Sequence, residues 1–412
     1  MQRISIVLLA LATLVATALL AVPAGTASAV PAPGNDPFYD VPANIASYPD
    51  GAVIASRRIT AYAYLVPMPA TSWQILYRTN DSHGDPTATV VTLMVPTIPW
   101  KGAGPRPLVS YQTAEDGVSQ DCAPSFGLRA GVVFSGGSAA AETGLMAAAL
   151  AEGWAVTVPD YEGPDSEFLA GRLEGQAVLD GVRASLAFAP AGLPASTPVG
   201  LWGYSGGSIA SSIAAQLQTD YAPALNVQGV ALGGLVGDIR STIDDFSGTA
   251  FGGAIAMGVN GPLRAFPEAG LGRYLSASGK KKIAAAANDC IAEGVLRYPG
   301  LSLADIEAFP NALDTPAVAD LLRSNSPLGT AGTPTAPVYD YHAIHDELAP
   351  INRDREMMHR YCDAGVTVQH VEHALAEHIS EAVTGASGAL AFFSARFAGK
   401  PAVNTCASVP AD

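Results

Sequence analysis

From residue 108 to residue 232, short β-rich runs alternate with alanine-rich stretches of helical length: 108–112, 139–152, 155–159, 171–188, 199–204, 206–218 and 227–232. An alternation this regular has few solutions. Parallel strands cannot be joined by a two-residue turn and need a crossover, which a helix supplies most compactly. The pattern therefore predicts a mostly parallel sheet with helices on both faces. Ahead of it, 73–79 and 87–95 read as strands flanking Asp81-Ser82-His83-Gly84-Asp85-Pro86, a run of turn formers that predicts a β-hairpin.

The alternation lapses from residue 236 to residue 319 and resumes with strands at 338–342 and 366–371 and a helix over 387–397. A structureless loop of that length does not fit inside a compact domain. The segment 236–319 is expected to be an inserted, mainly helical cap, leaving a core in two parts, 30–235 and 320–412. At 412 residues, 49% hydrophobic and 14% charged, the chain can bury a large core without a metal. Its formal charge of −15 disfavours nucleic acid and anionic membranes as partners.

The first residues pair Arg3 with an apolar run from Ile4 to Val22 and then Ala27-Ser28-Ala29, the small-x-small pattern of a signal peptidase site. Residues 1–29 are read as a signal peptide cleaved after Ala29, giving a secreted chain; an uncleaved anchor is the competing reading. Four cysteines, Cys122, Cys290, Cys362 and Cys406, are widely spaced in an exported chain, which favours disulfides over a metal site. Three pairings are open on spacing alone.

Gly203-Tyr204-Ser205-Gly206-Gly207 has the G-x-S-x-G pattern. In a chain with 42 glycines the pattern alone is weak, but here an apolar strand (198–202) precedes it and a helix (208–218) follows. That is the strand–turn–helix setting of a nucleophile elbow, where small neighbours let a strained turn present a serine. A serine hydroxyl attacks only when a histidine takes its proton and a carboxylate orients the histidine. In this fold the order is serine, acid, histidine. Asp346 lies just past a strand, at the carboxyl edge where such sites assemble, with Glu347 as its competitor. His378 follows the last strand; His370, within that strand, and His373, just after it, read as packing or surface residues. His370-x-x-His373 has a metal-like spacing but no third ligand nearby in sequence, so neither metal nor cofactor is expected.

Taken together, Tyr111-Gln112-Thr113-Ala114-Glu115-Asp116 with Asp121-Cys122-Ala123-Pro124-Ser125, Pro159-Asp160-Tyr161-Glu162-Gly163, the elbow, and His342-Ala343-Ile344-His345-Asp346-Glu347 with Ala376-Glu377-His378 resemble the secretory lipase family of fungi and actinobacteria. The resemblance runs from about Phe38 to Cys406. It implies an α/β-hydrolase fold, the triad Ser205, Asp346 and His378, an oxyanion hole of Asp116 and Gly206, disulfides Cys122–Cys290 and Cys362–Cys406, and a lid over 236–319. It also implies a carboxylic ester hydrolase, a triacylglycerol lipase acting on lipid or small ester substrates at a lipid–water interface, without a stable transmembrane anchor. A short-chain esterase or polyester hydrolase with the same triad is the alternative, and a non-catalytic binding protein of the same fold a third. Asp116 is expected to donate its backbone amide, its side chain being neutral or hydrogen bonded away. The apolar stretch 250–258 is expected to be a flexible wall of the acyl channel, and Lys280-Lys281-Lys282 a solvated helical face. Fungal members continue into a C-terminal flap, whereas this sequence stops six residues after Cys406, so acyl-chain selectivity is not carried over.

Overall fold

The computed structural model describes residues 30–131 and 139–411, so the expected signal peptide (1–29) lies outside the described residues. Ala32 onward forms one compact unit. Eleven strands are described: β1 Val53–Ile59, β2 Tyr62–Ala63, β3 Val66–Pro67, β4 Ala70–Asn80, β5 Pro86–Pro96, β6 Leu108–Gln112, β7 Ala155–Pro159, β8 Val199–Tyr204, β9 Val227–Gly233, β10 Val338–Ala343 and β11 Val368–His373. Nine of them make one sheet in the order β1-β4-β5-β7-β6-β8-β9-β10-β11, while β2 and β3 pair separately. The first three are antiparallel and the six from β7 to β11 run parallel. The predicted hairpin is β4–β5, in register from Ala70↔Pro96 to Asn80↔Pro86. Its turn is closed by Asp81, whose Oδ1 accepts the amides of His83 and Asp85.

The helices are α1 Pro124–Ala130, α2 Ala139–Ala151, α3 Gly171–Ala187, α4 Gly206–Tyr221, α5 Ile239–Phe246, α6 Ala254–Ala265, α7 Ala277–Ala285, α8 Ile291–Arg297, α9 Pro316–Asn325, α10 Ile351–Asp363, α11 His378–Thr384 and α12 Ala386–Phe397. Strands β6, β7, β8 and β10 are buried along their whole length, as expected of parallel strands covered on both faces. The period of two sorts their side chains. Val199 and Leu201 join the core formed with α3, α4 and α10, and Trp202 and Tyr204 the core formed with α1, α2 and α12. Each such fully buried large side chain contributes about 1.5–3 kcal/mol.

Between β9 and β10 come the five helices α5 to α9 and no strand of the sheet. Four of them, α5, α6, α7 and α9, share a core of their own, which also takes in Ile209 and Ile213 of α4, while α8 packs through Ile291 and Val295 against Val118, Ala254 and Met257. The stretch expected to be a flexible wall is helical from Ala254, and its side chains are committed to packing. Ile255 joins the cluster of Leu169, Ile209 and Ile213, and Met257 that of Val118 and Ala254. Alanine, methionine and isoleucine are competent helix residues, and burial decides the rest. Helix α9 runs through the boundary expected at 319, because its Val318 and Leu322 pack into the same core. Lys280 to Lys282 lie on α7, the first two exposed and Lys282 half-buried beside Asp305. Among the described residues no helix is long and apolar enough to cross a membrane.

Candidate active site

Ser205 stands between the last residue of β8 and the first of α4, with φ 53° and ψ −124°. A non-glycine residue rarely adopts positive φ, and doing so costs on the order of 1–3 kcal/mol. The neighbours make it tolerable. A Cβ at position 203 would run into the Gly207 carbonyl, and one at 206 into the Asp116 side chain, so only glycine lets strand, helix and loop meet here.

His378 is the first residue of α11, after the loop that leaves β11. Its Nε2 lies 2.8 Å from Ser205 Oγ, and its Nδ1 is 2.7 Å from Asp346 Oδ2. Asp346 is fixed from its other oxygen, which accepts the amides of Leu348 and Ala349 at 2.9 and 2.7 Å. Burial would raise the pKa of Asp346, but the hydrogen bond from His378 and the charges of His378 and His342 hold it below the ordinary carboxylate value. The competitors have other partners. Glu347 accepts the backbone amide of His378, His370 faces Asp340, and His373, the last residue of β11 and not the residue after it, pairs with Glu381. Tyr204 donates to the His378 carbonyl at 2.5 Å and sets its ring 5.2 Å from the imidazole.

Asp116 also has positive φ, 42°. Its Oδ1 is buried without a hydrogen-bond partner, against Gly206. Burial pushes its pKa up to about 7, with only His378 pulling it down. The loop that carries it is held at almost every residue. Glu142 accepts the Ala114 amide, Tyr161 accepts the Glu115 amide while donating to the Thr113 carbonyl, and Glu162 accepts the Gly117 amide. Val118 donates to the Asp289 carbonyl, Gly117 pairs with Cys290 in a β-bridge, and Cys122 is bonded to Cys290 with Cα atoms 5.5 Å apart. The second disulfide, Cys362–Cys406, ties the end of α10 to the C-terminal segment.

Pro159-Asp160-Tyr161-Glu162-Gly163 thus has a physical role that spacing did not reveal. Asp160 accepts from Ser125 at its amide and hydroxyl (2.8 and 2.6 Å), while Tyr161 and Glu162 hold the Asp116 loop. Around that loop Glu115, Glu162 and Glu174 are all buried. Burial, and then neighbouring carboxyl groups, push Glu115 and Glu162 well above the ordinary value, and burial takes Glu174 to about 8.

Behind Asp346 the company changes. His342 is fully buried, and its Nε2 lies 3.0 Å from the Ala349 carbonyl and 3.5 Å from Asp346 Oδ2. Burial alone would strip its charge, yet Asp354, with Asp346 and Asp340, pushes its pKa up to about 10. His370 is pushed to about 9 against burial by Asp340, Asp354 and Glu372. Sequence reasoning missed this group, although polar Asp340 and His342 alternating with Tyr339 and Tyr341 in a covered strand were its signal. Among the described residues Asp340, Asp354 and His370 could together hold an ion. The third ligand that His370 lacked in sequence comes from neighbouring elements, and His373 is not part of the group. A cavity of about 360 Å³ is bordered by Arg172, Gln176, Ile213 and Tyr221 and by none of the residues bonded to His378.

The LIP family profile, described as secretory lipase, matches residues 128–405. Lipase 4 of Candida albicans is 36% identical over 390 residues, which span 92% of this chain and 84% of the relative. A Mycobacterium tuberculosis protein named "Probable inactive lipase" is 37% identical over 376 residues, 90% of this chain and 83% of that one. The crystal structure of Candida antarctica lipase A in its closed state superposes with a TM-score of 0.86 at 31% identity, covering 93% of this chain and 91% of that one. The fold is accordingly that of an α/β-hydrolase, and the chain, a carboxylic ester hydrolase, belongs to the secretory lipase family.

Proposed function

We propose that this chain is a secreted triacylglycerol lipase that works through an acyl-enzyme on Ser205. The observation that carries the reading is the continuous hydrogen-bond chain from Ser205 Oγ through His378 to Asp346. Ser205 Oγ attacks the ester carbonyl as its proton passes to His378 Nε2, and Asp346 steadies the imidazolium. The carbonyl oxygen becomes an oxyanion beside the amides of Gly206 and Asp116. His378 then protonates the departing alcohol, and a water activated by the same imidazole releases the acid and restores Ser205. A neutral Asp116 side chain leaves the oxyanion unopposed.

Residues 236–319 act in this reading as the lid. Support comes from the ties between the cap and the Asp116 loop: the Cys122–Cys290 bond, the Gly117–Cys290 bridge, and Val118 clustered with Ala254 and Met257. Secretion, with cleavage after Ala29, is supported by two disulfides, which persist in oxidising compartments, and by the family's description. The mature chain would begin at Val30.

Two other readings compete. A short-chain esterase or polyester hydrolase would use the same groups, and the relative named an inactive lipase keeps a non-catalytic binding protein in view. A fluorophosphonate probe should label Ser205 and lose its target in Ser205→Ala. Nitrophenyl esters of increasing acyl length should then be hydrolysed with a preference for long chains. Labelling with turnover confined to acetate and butyrate esters would favour the esterase, and no labelling of folded protein would favour the binding protein.

A further inference from the structure

Three elements behind the triad bring two carboxylates and two imidazoles together. Asp340 and His342 lie two residues apart on β10 and leave the same face of the strand. His370 on β11 is the cross-strand partner of Asp340, and Asp354 comes from the first turn of α10. The side chains of Asp340, His342 and Asp354 are wholly buried, and that of His370 is 4% exposed. His342 Nδ1 is 3.6 Å from Asp354 Oδ1. His370 Nδ1 is 2.5 Å from Asp340 Oδ2 and 3.7 Å from Asp354 Oδ2.

Both rings are held from behind. His342 Nε2 is occupied by the Ala349 carbonyl and His370 Nε2 by Glu372, at 3.0 Å each, and Arg355 grips Glu372 with two hydrogen bonds. Each ring therefore keeps Nδ1 for the group in the middle, as a ligating imidazole does when its other nitrogen is fixed by a carbonyl or carboxylate. The atoms facing inward are not used up. Both oxygens of Asp354, Oδ1 of Asp340 and Nδ1 of His342 are buried without a hydrogen-bond partner. Unpaired buried polar atoms are costly, and four in one place call for a common partner.

We propose that Asp340, His342, Asp354 and His370 form a binding site for one divalent zinc-type ion. Two imidazole nitrogens with two carboxylate oxygens suit zinc, whereas calcium and magnesium take oxygen ligands. Ligand bonds of about 2.0–2.1 Å in a tetrahedron set the donor atoms about 3.3 Å apart, near the 3.6 and 3.7 Å that separate His342 and His370 from Asp354; as the ion enters, the 2.5 Å contact of His370 with Asp340 opens and His342 closes on the group that Asp340, Asp354 and His370 already form. One dication takes the place of the two ring protons, so the two carboxylates stay balanced when the rings give up their protons to bind it. With four protein ligands the site has no open position, so the ion is structural and takes no part in ester cleavage. It braces the loop of Asp346 through His342, which touches both Ala349 and Asp346.

The test starts from protein stripped with a chelator, incubated with Zn2+ and desalted before its metal content is measured. One zinc per chain is expected, with a melting temperature raised by a few degrees. Asp354→Asn and His370→Gln should each weaken zinc binding at least about tenfold, the lower end of what even outer-shell changes cost. His373→Gln, whose ring pairs with Glu381 outside the group, should retain zinc as the parent does. Failure to retain zinc, or full retention in Asp354→Asn and His370→Gln, overturns the site. If those variants do not fold, Co2+ in the parent protein decides the matter. The intense visible absorption of a four-coordinate ion is expected, and a weak six-coordinate spectrum or none overturns the proposal.

Discussion

The buried carboxyl groups around the Asp116 loop and those behind Asp346 are alike in residue type and burial but differ in their neighbours. Asp116, Glu115, Glu162 and Glu174 lie near one another, and burial pushes their pKa values up, Asp116 to about 7 and Glu174 to about 8. Asp346 faces His378 and His342, which hold it below the ordinary range despite burial. Burial alone favours the neutral acid, and an adjacent cation restores the carboxylate. The two outcomes match the two tasks proposed for them: a developing oxyanion tolerates no negative charge beside it, whereas an imidazolium needs one.

Removing the nucleophile that lies between the two regions should have the largest effect. Ser205→Ala should lower kcat by on the order of a millionfold while leaving the melting curve unchanged. Residual activity within a hundredfold of the parent would place the chemistry elsewhere. Next comes the charged side. Asp346→Asn should cost about 10⁴ in kcat, because the amide cannot hold the correct imidazole tautomer. Rescue of the acid's role by Glu347 would appear as a loss of less than about tenfold.

On the neutral side the effects are smaller and depend on pH. Asp116 should lose its proton as pH rises through about 7, and the resulting carboxylate should oppose the oxyanion. The ratio of kcat/KM for Asp116→Asn to that of the parent should therefore rise about tenfold between pH 6 and pH 8. A flat ratio would mean that the side chain keeps one charge state throughout. The smallest effect is on stability. Glu174 has a folded pKa of about 8 against an ordinary 4.5, so the folded state holds an extra proton between these values. The stability tied to that proton is fully present below about pH 4.5 and is lost as pH rises towards 8. Glu174→Gln should narrow the fall in melting temperature between pH 5 and pH 8 by a few degrees; an unchanged fall would indicate that Glu174 is ionised in the fold.

The same contrast explains what could be read from sequence. The strands, the hairpin and the elbow were legible because periodicity and glycine placement are local. Ser205, Asp346 and His378 followed from chain order and the positions of strand ends. The acids around Asp116 were not, since nothing within the sequence brings Glu174 near Glu115. The group of Asp340, Asp354 and His370 depends on β10 pairing with β11 and on α10 covering both, which only tertiary structure supplies. The run of helices between β9 and β10 was visible as a lapse in pattern, but its packing was not. Ile255 and Met257 look like a mobile apolar wall until Leu169, Ile213 and Val118 are folded against them.

The most direct test of unlike protonation on the two sides is infrared difference spectroscopy of the carboxyl C=O stretch at pH 6. At that pH exposed acids are ionised and do not contribute to the protonated band. The parent protein should show bands of buried neutral carboxyl groups, Asp116→Asn and Glu174→Gln should each remove one, and Asp346→Asn should remove none. Loss of a neutral carboxyl band in Asp346→Asn, or no change in the other two variants, would contradict unlike protonation of the two sides.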